Sequence, residues 1–289
     1  MTNTSQLLSP RPDRPVDPTA ILVIKEIHKA SKAFGFPVFL VGATARIILL
    51  ENVFGLNTGR ATYDVDFAFA LDTWEQFTEL KTYLIANSNC VEVEKIAQRL
   101  YMRPDGLEKG YKVDLIPFGG IETRPNTIAW PPDMSFVMNV AGYGDALAAS
   151  IPVKVSDGVT INVASLPGIA ILKIFAWSDR GHEGPKDAID LTSLLRSYNE
   201  AGNMERIYED AVDALEEIDY DIELAGAWLL GKDAADIASP ETTTELRALL
   251  EGNKRRRLEE DMARAMLGRE DALDYSHRLL EQFTKGFTA

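Results

Sequence analysis

Cysteine is almost missing: Cys90 is alone among 289 residues, so no internal disulfide can form and no thiolate cluster can hold structural zinc. Histidine is nearly as scarce, and His28, His182 and His277 are scattered in no arrangement that suggests a hydrolytic triad. Long apolar runs are missing too. The stretch Val38 to Leu50 is broken by Arg46, and none approaches the ~18 uninterrupted apolar residues of a membrane span. No basic segment followed by an apolar run opens the sequence, so no export signal is visible and a reducing cytoplasm is the expected compartment. Positive charge is in deficit, with 30 Lys and Arg against 44 Asp and Glu and a formal charge of −14. That balance opposes loose attachment to nucleic acid, whose non-specific binding rests on phosphate neutralisation. Lys254-Arg255-Arg256-Arg257 is the one dense basic run, and it reads either as a solvated helix face or as a local RNA contact.

What is present suffices for a full core, at 46% hydrophobic content. Residues 1–18 are polar and proline-rich and read as a flexible lead-in. Ile21, Ile24, Ile27 and Ala30 then recur at helical spacing up to Gly35. Pro37 to Val41 is a short β-rich run, Gly42-Ala43-Thr44 a small-residue turn, and a second helical pattern follows to about Val53. Tyr63 to Leu71 reads as a strand. A helix from Thr73 to Ala86, with Asp72 as N-cap, precedes strands at Val91 to Val93, Ala97 to Met102 and Tyr111 to Pro117, with a turn at Pro104-Asp105-Gly106. Gly119 to Pro132 is loop-like, and Ile151 to Val155 and Val159 to Val163 form a hairpin about Asp157-Gly158. From Ser165 the periodicity turns helical. Helices are expected at Ser165 to Trp177, Lys186 to Tyr198, Met204 to Glu217, Asp221 to Leu230, Pro240 to Leu250, Arg256 to Met266 and Asp271 to Phe283. The fold class is therefore α+β, with a mixed-sheet domain over residues 19–164 and an α-helical domain over 165–289.

The chemistry concentrates on acids. Asp64 and Asp66 lie two apart on one strand, so their carboxylates share a face. Asp114 falls inside a later strand, between Val113 and Leu115, where an unpaired charge is costly. Three such carboxylates could hold two divalent cations, which prefer hard oxygen ligands. The pair alone is also what a solvent-exposed strand face would show. Its neighbours add weight: at Gly42-Ala43-Thr44 the backbone can approach a phosphate, and the next helix offers its N-terminus to an anion. Arg46, in that helix, could reach a phosphate, and Arg60 with Thr62 could line the site. Lys173 is the only charge in the apolar heart of its helix and needs an anionic partner or a route to solvent. Asp187 and Asp190 share a face one turn apart, with Lys186 in reach of Asp190, an arrangement that also suits capping of a first turn. Trp130-Pro131-Pro132 and Phe118-Gly119-Gly120 could form a lid or stacking wall, or simply pack over an edge.

From Val38 to Leu195 these blocks resemble the polymerase-beta-like nucleotidyltransferases, and most closely the AbiEii/AbiGii-type toxins, a group that includes the MenT toxins. Gly42-Ala43-Thr44, Asp64-Val65-Asp66, Asp114, Lys173 and Lys186-Asp187-Ala188-Ile189-Asp190 occur in the family's order. Ala43 departs from the usual Gly or Ser, so a hydroxyl contact to phosphate falls to Thr44 or is missing. The resemblance implies metal-dependent transfer of a nucleotide from an NTP to an acceptor hydroxyl, with Mg²⁺ or Mn²⁺ on Asp64, Asp66 and Asp114. It implies Gly42, Ala43, Thr44, Arg46 and Lys173 as nucleotide-binding residues and Asp187 as a further catalytic residue, acting as a base. A toxin of a toxin-antitoxin or phage-defence system is implied, with tRNA as acceptor and a cognate antitoxin as partner. Transfer to a small molecule and a catalytically inactive nucleotide-binding module are the rival readings.

Overall fold

The computed structural model describes residues 7–58, 62, 64–94, 96–103 and 110–289. Arg60, Tyr63 and the turn expected at Pro104-Asp105-Gly106 lie outside them. The chain divides into two compact units, Met1–Ala164 and Ser165–Ala289.

In the first unit, α1 (Pro18–Phe34) begins where the Asp17 carboxylate accepts the backbone N–H groups of Thr19 and Ala20 at 2.9 and 3.0 Å. It ends at Gly35, whose φ of +73° is the left-handed cap. The polar segment before it is not a loose lead-in from residue 7 onward. Leu8 bridges to Val153, the Arg11 N–H donates to the Asn52 carbonyl, Arg14 reaches the Leu56 carbonyl and Val16 is buried. Proline richness there marks an extended segment laid on the sheet, not a disordered one.

The strands follow as β1 (Val38–Val41), β2 (Asp64–Ala70), β3 (Cys90–Glu92), β4 (Arg99–Met102) and β5 (Tyr111–Phe118). Helix α2 (Gly42–Ile47), continued by a π-helical turn over Ile48–Val53, joins β1 to β2, and α3 (Trp74–Asn87) joins β2 to β3. Thr73, not Asp72, caps α3, its hydroxyl accepting the Gln76 N–H, while Gln76 Oε1 accepts the Asp72 N–H in return. The region expected to be loop contains β6 (Thr127–Trp130), paired with β7 (Phe136–Asn139) as a separate two-stranded sheet. Four residues are too few for alternation to show, yet Ile128, Ala129 and Trp130 are buried, and Trp130 packs on Trp74 and Phe77 with ring centroids 5.0 and 5.4 Å away. After α4 (Tyr143–Ala148), the hairpin β8 (Ile151–Ser156) and β9 (Val159–Val163) completes the main sheet, in the order β3-β4-β5-β2-β1-β9-β8. Strand β2 is thus interior, antiparallel to β1 and parallel to β5.

The second unit opens with Ser165, whose hydroxyl accepts the Gly168 N–H and starts α5 (Leu166–Arg180). It continues through α6 (Lys186–Ser197), α7 (Met204–Asp210), α8 (Val212–Glu217), α9 (Ile222–Ile237), α10 (Pro240–Leu249), α11 (Gly252–Ala263) and α12 (Ala272–Thr288). The single helix expected over 204–217 is broken at Ala211, which leaves helical geometry with φ −122° and ψ 23°. Helices α9 and α12 meet backbone to backbone. A Cβ on Gly231 would overlap the Phe283 carbonyl oxygen, and one on Gly286 would overlap the Trp228 carbonyl oxygen. Only glycine permits that approach from both sides.

Candidate active site

On β2, Val65 and Phe67 are fully buried while Asp64 and Asp66 face the other way and are half-buried. The pleat makes that division. Each aspartate is fixed from the α2 turn. The Thr44 hydroxyl donates to the Asp64 carbonyl at 2.8 Å, and the Thr62 hydroxyl accepts the Asp64 N–H at 3.3 Å. Val41 stands opposite Asp66 across the ladder, so Gly42 follows beside that carboxylate, with φ +71° and no room for a Cβ against Asp66 Oδ2. The glycine is required twice, by conformation and by space. Of the residues expected to meet phosphate, Gly42 and Ala43 are half-buried, whereas Thr44 is 5% exposed with its hydroxyl committed to Asp64. Arg46, expected to reach a phosphate from this helix, is only 1% exposed and lies inside the unit.

Asp114 stands directly opposite Asp66 on the parallel neighbour β5, and Arg99 directly opposite Asp114 on β4. Directly opposed residues share a sheet face, so the three form a row. Arg99 closes on Asp114 as a fork, Nε to Oδ1 at 2.7 Å and Nη2 to Oδ2 at 2.7 Å. The Asp114 hydrogen bonds, followed by the charges of Asp114, Asp64 and Asp66, raise the Arg99 pKa against its partial burial. Sequence reasoning missed Arg99, because its pairing with Asp114 depends on the register between β4 and β5. The expected three-carboxylate cluster is accordingly not closed: among the described residues no group of three or more His, Cys, Asp and Glu side chains is assembled as a cation site. Asp64 and Asp66 fit a hard divalent cation by donor chemistry, and Asp114 fits it once its fork partner is set aside.

In the helical unit, Lys173, Asp187 and Asp190 come together as one buried group. Lys173 Nζ lies 2.8 Å from Asp187 Oδ1 and 2.7 Å from Asp190 Oδ2, and the three side chains are 9, 6 and 3% exposed. The anion that Lys173 required is thus supplied by α6. Lys186, expected to reach Asp190, is exposed at the start of that helix. Arg180 forks Asp187 from the other side, Nε to Oδ2 at 2.7 Å and Nη2 to Oδ1 at 3.0 Å. Burial alone would raise the Asp187 pKa, but the Lys173 charge and the Arg180 bonds prevail and hold it at about 2. With both oxygens engaged and its pKa held this low, the carboxylate as it stands is a poor base near neutral pH, unlike the base the resemblance implied. In the basic run, Arg256 pairs with Glu260 in solvent, whereas Arg255 pairs with the largely buried Glu259, each one turn on.

An interior strand carrying two aspartates on one face, beside a glycine-opened helix in a mixed sheet, is the arrangement that the resemblance to nucleotidyltransferases implies. The chain is a member of the family described as nucleotidyl transferase AbiEii toxin, type IV TA system, whose profile matches residues 32–284. No curated protein matches it. Among solved structures, an antigenic nucleotidyltransferase-like protein from Paracoccidioides brasiliensis is 14% identical, over 70% of this chain and 93% of that one, with a TM-score of 0.43. The antibiotic-modifying ANT(2″)-Ia, solved with adenylyl-2″-tobramycin, is 16% identical over 62% of this chain and 89% of that one, with a TM-score of 0.37. A Thermotoga maritima CCA-adding enzyme complexed with tRNA is 13% identical over 92% and 70%, with a TM-score of 0.27. Among the described residues no helix is long and apolar enough to cross a membrane.

Proposed function

We propose that this nucleotidyltransferase moves a nucleoside monophosphate from an NTP to a hydroxyl of RNA, with tRNA the acceptor tested first, and that it acts as the toxin of a pair with a cognate antitoxin. The observation that carries the reading is the half-buried pair Asp64 and Asp66, set on one face of β2 with Gly42 closed against Asp66 and Asp114 in register beside it. Asp64, Asp66 and Asp114 would hold Mg²⁺ or Mn²⁺. The chemistry those ions supply when bound is activation of the attacking hydroxyl and neutralisation of charge on the departing pyrophosphate. The chain's own part is placement. Thr44 and Thr62 pin the backbone of Asp64, and the pleat aims both carboxylates the same way. Gly42 keeps the turn low beside Asp66, leaving backbone free for a phosphate to approach. Lys173 is left out of this scheme, because Asp187 and Asp190 already meet its charge.

The test is incubation of the protein with each of the four labelled NTPs, total tRNA and Mg²⁺ or Mn²⁺, beside the Asp64→Ala variant. Label entering tRNA with the native chain and not with the variant is the expected result. The charge of −14 favours a second acceptor class, small molecules, over a polyanion. Label that enters a small hydroxyl compound and never RNA would establish that reading instead. Equal labelling by the native chain and Asp64→Ala would dismiss both.

A further inference from the structure

The Arg99 fork is more than the sheet requires. Strands β4 and β5 are already joined along Arg99–Asp114, Leu100–Val113, Tyr101–Lys112 and Met102–Tyr111, and a partly exposed ion pair adds little to such a ladder. Its position is the informative part. Arg99, Asp114 and Asp66 stand in one row across three adjacent strands, and both Asp114 oxygens are engaged at 2.7 Å. A cation that takes Asp114 on the side of the fork has to compete with two charge-assisted bonds for its oxygens. The Arg99 side chain is 23% exposed, so it has an open side toward which it can withdraw.

We propose that Arg99 is a positioning residue that competes with the divalent cation for Asp114 and thereby sets how tightly the carboxylate row takes metal. The proposal rests on the functional reading above and deepens it. Without its metal, Asp114 stays forked to Arg99 and compensated by the guanidinium. With metal, Asp114 exchanges a five-donor organic cation for a hard ion, and Arg99 is released as a free positive charge beside the site. A lysine could neutralise Asp114 but could not fork it, so the competition depends on arginine.

Manganese binding to the full-length, nucleotide-free protein, followed by the electron paramagnetic resonance of free Mn²⁺, tests this without reference to activity. Arg99→Gln should bind Mn²⁺ about tenfold more tightly, roughly the size of one charge-assisted hydrogen bond that Asp114 no longer has to give up to the guanidinium. Arg99→Lys should fall between native and Gln, which keeps the test open if the Gln variant does not fold. The double variant Arg99→Gln, Asp114→Asn should lose the gain, since the gain runs through the freed carboxylate. Unchanged affinity in both Arg99 variants would overturn the proposal while leaving the metal site standing. So would a gain that survives in the double variant, because general charge and not Asp114 would then be its source. Absence of Mn²⁺ binding in every protein would remove the metal site itself, and with it both readings.

Discussion

Replacing Lys173 by Met removes a charge while filling most of the same volume, so what it measures is the buried group on α5 and α6. Asp187 and Asp190 are 6 and 3% exposed and lie 2.8 and 2.7 Å from the ammonium. Removing one partner of a buried ion pair costs about 3–5 kcal/mol, because the remaining charge is stranded. Arg180 still forks Asp187 in the variant, which places the expectation at the lower end, about 3 kcal/mol. At roughly 4 °C per kcal/mol for a unit of this size, the melting temperature should fall by roughly 12 °C. Urea and thermal unfolding at pH 7, followed by circular dichroism, give both quantities. The companion Lys173→Met, Asp190→Asn replaces the Asp190 carboxylate by an amide and should recover part of the loss, a non-additivity that direct coupling produces. If Lys173→Met unfolds within about 1 kcal/mol of the native chain, well below the cost of stranding a buried charge, the triad does not hold the unit. If it also abolishes nucleotide transfer, the lysine belongs to a phosphate after all.

Three further outcomes follow from the same geometry. The Asp187 pKa is lowered from 3.8 to about 2. Its contribution, about 2 kcal/mol by linkage, is therefore fully present above pH 4 and lost as pH falls through 2; acid unfolding of native and Asp187→Asn proteins should diverge in that window. Gly42→Ala should cost about 1–2 kcal/mol for its left-handed backbone alone, and the displaced Asp66 carboxylate should lower transfer with little change in unfolding cooperativity. Gly286→Ala forces apart a backbone contact and should destabilise the helical unit by about 3 kcal/mol, as overpacking does, read as a lower urea midpoint at unchanged slope.

Features that depend on local pattern were legible in the sequence. Alternation put Asp64 and Asp66 on one face, Gly42-Ala43-Thr44 marked a small-residue turn, and Ser165 marked the switch from strand to helical spacing. What escaped was pairing across distance. Nothing local links Lys173 to Asp187 and Asp190, because the partners sit on two helices separated by the turn at Gly181 to Glu183. The need for an anion was visible, and its source was not. Arg99 was hidden for the same reason: its fork depends on the register between β4 and β5, which a sequence does not state. The burial of Arg46 was not legible either, because an arginine one turn past a glycine turn carries no local sign of how deeply its helix is enclosed.

The glycine-to-glycine crossing of α9 and α12 also governs the order in which the protein can be made. Gly231 has been synthesised long before Gly286, and until residue 288 has followed, α9 presents its closest-packing face to water. Domains fold as units during synthesis, so the sheet unit can close while the helical one is still waiting for α12. A newborn chain therefore passes through an interval with its Asp64 and Asp66 strand assembled and its helical half open.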